Sequence, residues 1–142
     1  MPQVFSGKVA IAGEKMEDYL QALEETEKAV APLRTQLTEL NGAFEQALLH
    51  TVSARTAYKH ASVIALFIDF VCWNTDVRRI EEITRGIANS SFRRWYQSKI
   101  GDRSESELKT AIKKFFQFLD REKGITNEAV LKSFQTSPRH AR

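Results

Sequence analysis

The residues best suited to binding chemistry lie in one sixteen-residue stretch, SESELKTAIKKFFQFL, at residues 104–119. Lys109 and Lys113 are four residues apart, so on a helix they share one face. Ser104 is a natural N-cap, and Glu107 three residues later completes a capping box. Lysines close to a helix start, where backbone N–H groups are free, favour phosphate binding. The same pattern also fits an ordinary amphipathic helix with solvated lysines.

No other residues have the spacing of a catalytic or metal site. His50, His60 and His140 do not form metal-ligand spacing with one another or with the single cysteine, Cys72. There is no glycine-rich phosphate loop, and no nucleophile stands beside a recognisable base. We therefore expect no enzymatic activity, no metal, no cofactor and no small-molecule substrate.

The composition predicts an all-α protein. Prolines number three and glycines six in 142 residues, and no strand-like alternation is bounded by hairpin turns. Within residues 104–119, apolar side chains recur at helical spacing and are predicted to form one buried face. These are Leu108, Ala111, Ile112, Phe115, Phe116 and Leu119.

The first predicted helix covers residues 14–40. Its apolar stripe consists of Met16, Leu20, Leu23 and Val30, followed by Leu33, Leu37 and Leu40. Pro32 lacks a backbone donor, so we expect a kink or a restart there. The helix either packs on its own domain or pairs with another subunit, and the pattern leaves both interpretations open.

Further helices follow a turn at Asn41-Gly42. They are predicted at residues 43–49, from cap Ser53 to about residue 73, at 85–98, at 104–122 and after cap Asn127. The helix from Ser53 is strongly apolar, with Tyr58, Ala61, Ile64, Ala65, Ile68 and Cys72 near its buried face. Its first turn is instead polar or basic, with Arg55, Thr56, Lys59 and His60 able to reach a partner.

Charge is distributed unevenly along the chain. Residues 1–50 hold four basic and eight acidic residues, a net charge of −4, whereas residues 51–142 hold seventeen and ten, a net charge of +7. This asymmetry indicates two functional segments, the second suited to a polyanion.

The sequence also predicts a cytoplasmic location. There is no secretory signal at the N-terminus, and the longest apolar run, residues 63–73, is too short to span a bilayer. Cys72 lies within that run and is expected to be an inert core thiol.

The order of segments in residues 41–139 resembles the core-binding domain of the phage-integrase family, the tyrosine recombinases. The matching pieces are SARTAYKHASVIALFIDF at 53–70, IEEITRGIANSSF at 80–92 and SESELKTAIKKFFQFLDREKGI at 104–125. A short helix with Phe44 precedes them, and a short helix ending in Phe134 and a Ser-Pro-Arg linker follow. The family's catalytic residues belong to a second domain that these 142 residues do not contain.

The resemblance implies a four- to five-helix SAM-like orthogonal bundle with an additional N-terminal helical segment. It divides the chain into an extension at 1–40, a core-binding domain at 41–135 and a linker or tail at 136–142. Two helices of this domain would lie across the major groove of double-stranded DNA. The implied DNA-binding residues are Arg55, Thr56, Lys59, His60, Arg93, Arg94, Arg103, Ser104, Ser106, Lys109 and Lys113.

Two functional hypotheses follow. In the first, the chain is the DNA-binding module of a site-specific recombinase or integrase, or of a truncated relative. In the second, it is a protein–protein interaction module in which the helix at residues 14–40 mediates homo-oligomerisation and the basic face is merely solvated. Glu105 and Glu107 oppose a phosphate contact at the start of their helix and count against the first hypothesis.

Overall fold

The computed structural model describes residues 13–102 and 104–134, and within them it is all-α. The described residues form five α-helices and no β-strand. They are α1 (Gly13–Leu48), α2 (Ala54–Asn74), α3 (Phe92–Lys99), α4 (Glu105–Lys123) and α5 (Glu128–Ser133), with a 3₁₀ turn at Ile80–Glu82 and a π-helical turn at Ile87–Ser91. The predicted tail at residues 136–142 lies outside the described residues.

Helices α1 and α2 form an antiparallel hairpin. The Arg34 guanidinium lies 2.8 Å from the Asp69 carboxylate, and the Asn41 side-chain amide donates to the Ala61 carbonyl at 3.0 Å. These two contacts set the register between the helices. They place the second half of α1 along the whole length of α2.

The predicted break between residues 40 and 43 is wrong, because α1 runs without interruption through Asn41-Gly42 and ends at Leu48. Phe44 and Leu48 are buried in the same core as Leu37, so packing on α2 overrides the local turn preference. Pro32 is likewise inside α1 rather than at a restart. The division of the chain at residue 40 stays a prediction, but no helix end lies there.

The core lies between α1, α2 and α4 and is rich in phenylalanine. Phe44 of α1 meets Phe115 of α4 edge to face at 5.3 Å, and Phe67 of α2 meets Phe116 at 6.2 Å. All six apolar residues predicted on α4 are buried. Fully burying each large side chain contributes about 1.5–3 kcal/mol, so α4 is held firmly by its inner face.

Several helix ends lie where capping residues in the sequence predicted them. The hydroxyls of Ser53 and Ser104 accept hydrogen bonds from the backbone N–H groups of Thr56 and Glu107, at 3.1 and 3.2 Å. Gly124 closes α4 in the left-handed region at φ 66°, a conformation that glycine adopts without strain. Each of these boundaries was predicted to within one or two residues.

The helix predicted at residues 85–98 is confirmed, because residues 85–99 form one continuous helical run in which Ile87–Ser91 is a π-helical turn leading into α3. The buried face of α2 differs in part from prediction. On α2, Tyr58 is 66% exposed and Ala65 is also exposed, so neither belongs to the buried face. The buried stripe runs instead through Ala57, Ala61 and Ile64.

Candidate nucleic-acid interface

The first half of α4 is the centre of the candidate site. Its buried face is anchored by Leu108, Ala111 and Ile112. Helical geometry therefore turns the residues between them to the surface. The exposed side chains on this half of the helix are Glu105, Ser106, Glu107, Lys109, Thr110 and Lys113, and Ser104 is exposed at the cap. Three depressions lined by described residues adjoin this surface and bring other parts of the chain to it.

The first depression, the α2/α4 groove, joins the starts of two helices. It has a volume of about 190 Å³. Thr56, Lys59, His60 and Val63 of α2 line one wall, and Ser106, Glu107 and Thr110 of α4 line the other. The fold thus brings together three of the four α2 residues predicted to bind DNA with one of those predicted on α4. Arg55 is exposed in the first turn of α2 but does not line the groove.

The second depression, the α4/α5 ledge, is broad and shallow, with a volume of about 380 Å³. Its lining consists of Ser106, Lys109, Thr110 and Lys113 of α4, with Ser133 and Phe134 at the end of α5. Ser106 and Thr110 line both this ledge and the α2/α4 groove. The two depressions are therefore parts of one continuous surface.

The third depression, the Asn89 cleft, lies between the π-helical turn, α3 and α4. Its volume is about 340 Å³. It is lined by Arg85, Gly86, Ala88, Asn89, Ser90, Phe92, Arg93, Glu105, Leu108, Lys109 and Ser133. Lys109 lines both this cleft and the α4/α5 ledge, so the basic surface extends from α2 across α4 to the π-helical turn. We call the three depressions together the basic face.

Carboxylates weaken the basic face at one edge. Glu105 accepts a hydrogen bond from the Arg93 guanidinium, so part of the charge of Arg93 is already neutralised. Glu107 reaches the α2/α4 groove. Lys59, Arg85, Lys109 and Lys113 are exposed around them. Cations therefore outnumber carboxylates on this face, and its electrostatic character is positive.

The remaining predicted residues lie elsewhere. Arg94 is exposed on α3 and lines none of the three depressions. Arg103 lies outside the described residues. The predicted set therefore divides into a group gathered around α4 and two arginines, Arg55 and Arg94, that line none of the three depressions.

Two residues that line this surface, and one exposed ring on α2, were missed from the sequence. Arg85 and Asn89 line the Asn89 cleft, and Asn89 belongs to the π-helical turn, which a simple helical period does not reveal. Tyr58 is an exposed aromatic ring between Arg55 and Lys59 on α2. The sequence signal for the exposure of Tyr58 is its position, one residue away from the buried stripe of Ala57, Ala61 and Ile64.

The surroundings of His60 in the groove favour its neutral form. Partial burial lowers its pKa from the ordinary value of 6.5, and the nearby charges of Lys114 and Lys59 lower it further. The unfolded chain therefore binds this proton more readily than the folded protein. The stability that neutral His60 contributes is fully present above pH 6.5 and is lost as the pH falls through the folded-state pKa.

We expect an NMR titration of the wild-type protein to give His60 a pKa below the ordinary histidine value. Lys114→Ala should raise that pKa, because of the two neighbouring lysines Lys114 lowers the pKa of His60 more. Lys123→Ala, at the far end of α4, serves as the control and should leave it unchanged. A Lys114→Ala variant with the wild-type His60 pKa would contradict this interpretation of the groove.

Metal binding, membrane crossing and thiol chemistry find no support in the described part of the chain. Across residues 13–102 and 104–134, no three histidine, cysteine, aspartate or glutamate side chains come close enough to share a metal ion. In the same residues, no helix has the length and apolar character needed to cross a membrane. Cys72 is buried, and this burial is the main reason that the pKa of its thiol is raised. A raised pKa disfavours the reactive thiolate.

Comparison of the chain with protein-family models, curated proteins and solved structures found no match.

Proposed function

We propose that this protein is a DNA-binding module, of the kind found in site-specific recombinases and integrases or in a truncated relative, and that its basic face grips duplex DNA. The observation that carries the proposal is the α2/α4 groove. It unites the first turns of the two helices for which a DNA contact was expected, and its polar lining continues into Lys109 and Lys113.

The geometry supports a backbone contact. Ser104 and Ser106, which are exposed, and Thr56, which is half-buried, lie at two helix starts, where short hydroxyl side chains allow a phosphate to approach the backbone closely. Lys59, Lys109 and Lys113 add long, mobile positive charges around them. Neutralising phosphates in this way releases condensed counterions, which is the main source of sequence-independent affinity.

Lys109→Ala should weaken binding to any duplex and reduce its salt dependence. Loss of one phosphate contact changes the slope of log K against log salt by about 0.9. We expect fluorescence anisotropy to show this change for Lys109→Ala and for Lys113→Ala. The change should be roughly additive in the double variant.

Lys28→Ala is the matched control, because Lys28 is an equally exposed lysine on the acidic half of α1. It makes the same change in net charge far from the basic face. If Lys28→Ala and Lys109→Ala reduce affinity and slope equally, the protein responds only to net charge and the assigned face is wrong.

The exposed first half of α1 supports a second candidate function, self-association. Arg34 lies against Asp69 and beside the Trp73 ring, both close to the end of α2. Residues 13–29 therefore extend past the end of α2, over about 25 Å of helix. No described side chain in this segment is fully buried, and Leu20 is 52% exposed. We propose that a second copy of the chain covers its apolar stripe.

Fewer residues of α1 are available to a partner than the sequence predicted. Val30, Leu33 and Leu37 are buried in the protein's own core and are not available to a partner. Only Met16, Leu20 and Leu23 of the predicted stripe lie in the extended segment.

Leu20→Glu should convert an oligomer to a monomer, because it places a charge at the centre of the stripe. Light scattering coupled to size exclusion measures the change. Gln21→Glu is the control, since it adds the same charge at a neighbouring exposed position beside the stripe. A wild-type protein that is monomeric at high concentration would rule out self-association through α1.

A further inference from the structure

His60 is a titratable side chain in the wall of the α2/α4 groove. It is half-buried, and it shares the lining of the groove with Lys59 of α2 and Glu107 of α4. Of the other two histidines, His50 is exposed and lines none of the three depressions, and His140 lies outside the described residues. His60 is therefore the described histidine that a duplex on this groove would approach.

Positive charge from two helices opposes a proton on His60. Partial burial is the largest cause of its lowered pKa, and Lys114 of α4 and Lys59 of α2 lower the pKa further. None of the charges that lower the pKa lies on α1. Glu107 of α4 also lines the groove, but the pKa is lowered all the same, so burial and the two lysines together outweigh this carboxylate.

A bound phosphate backbone would remove part of this opposition. Lys59 is exposed and belongs to the lysines expected to neutralise phosphates, so its charge would be compensated in the complex. The phosphates would also bring negative charge close to the imidazole, and a nearby opposite charge raises the pKa of a histidine. Protonation in turn gives the ring a positive charge and a second N–H donor. A ligand that raises a pKa binds the protonated protein more tightly, because the coupling is reciprocal.

We propose that duplex DNA bound at the α2/α4 groove draws a proton onto His60, so that acidification strengthens DNA binding. The inference rests on the proposed function, because the phosphates are what favour the proton. The added affinity is fully present below the His60 pKa of the free protein and is lost as the pH rises through the His60 pKa of the complex. Since the first of these pKa values lies below 6.5, the gain develops in mildly acidic solution.

Fluorescence anisotropy with a duplex, at about pH 8 and about pH 5.5 and at one ionic strength, tests the inference. The two conditions lie on either side of the ordinary histidine pKa of 6.5. The wild-type protein should bind about five- to tenfold more tightly at the acidic pH, since a change of one pKa unit is worth a factor of about ten. The ratio of the two affinities is compared between variants, so that a general effect of a substitution on binding cancels.

His60→Gln, which stays neutral at both pH values, should lose most of this ratio. His50→Gln is the matched control, because it removes an exposed imidazole that does not line the groove, and it should keep the wild-type ratio. An NMR titration of the wild-type protein with and without duplex needs no variant. The His60 pKa should rise in the complex by an amount that accounts for the affinity ratio.

The outcomes separate the inference from the proposed function. An unchanged His60 pKa in the complex, or equal affinity ratios in the wild type and His60→Gln, would overturn the inference and leave the proposed function standing. Absence of duplex binding at both pH values would overturn the two together.

Discussion

Leu37→Glu should leave no stable folded protein. Leu37 is 0% exposed on α1, in the same core cluster as Val30 and Phe44. A carboxylate at this position would be buried without a partner, and the protein would have to keep it protonated or unfold. Burying an unpaired charge costs several kcal/mol, a large fraction of the 5–15 kcal/mol that stabilises a typical domain. Circular dichroism and thermal melting measure the loss.

Thr38→Glu is the matched control, because Thr38 is the next residue on α1 and is exposed. Its melting temperature should stay within a few degrees of the wild-type value. The outcome separates two roles for α1. If Leu37→Glu folded with wild-type stability but dissociated an oligomer, the second half of α1 would be an interface between subunits and not part of this core.

Asn127→Leu should destabilise the protein by about 2–4 kcal/mol, the sum expected for a lost helix cap and a buried polar group left unpaired. Asn127 is 3% exposed. Its Nδ2 donates to the carbonyls of Ile80 and Ile83 at 2.8 and 2.9 Å, and its Oδ1 accepts from the Val130 N–H at 3.0 Å. One side chain thus caps α5 and ties it to the 3₁₀ turn.

Leucine branches at Cγ as asparagine does and is the larger residue, so the effect would not come from a cavity. The Ile80 carbonyl would keep its bond from the Ile83 N–H, whereas the Val130 N–H would lose its cap. Urea unfolding gives the change in free energy. Asn74→Leu, at an exposed asparagine, should change it by less than about 0.5 kcal/mol. Equal stability of the two variants would mean that α5 is not held by this contact.

The parts of the fold that could be predicted from sequence are those determined by local chemistry. Ser104, Gly124 and the apolar period between them define α4 with no help from the rest of the chain. Asn127 was recognised as a cap for the same reason. Its second role could not be seen, because Ile80 and Ile83 are more than forty residues away in sequence.

The errors arose where tertiary contacts outweigh local preference. Asn41-Gly42 is a common turn pair, yet the Asn41 amide bonds the Ala61 carbonyl of α2 and the helix continues. Tyr58 lies one position away from the buried stripe of α2, and the helical spacing of apolar residues alone did not show that its side chain is exposed.

The candidate site was partly predictable. The polar first turns of α2 and α4 could be identified from residue type, and they line one groove. The π-helical turn could not be identified, and Asn89 within it was missed, as was Arg85 two residues before it, and with them the Asn89 cleft. The ion pair between Glu105 and Arg93 joins α3 to α4, and it could not be predicted from either helix alone.

The most direct test of DNA binding by the basic face is salt-dependent binding of the wild-type protein to a duplex of about thirty base pairs. If the basic face neutralises about five phosphates, log K should fall linearly with log salt with a slope of about −4 to −5. Binding should be tight in low salt and weak near physiological salt. Absence of duplex binding in low salt, or binding that does not change with salt, would show that the basic face does not grip DNA.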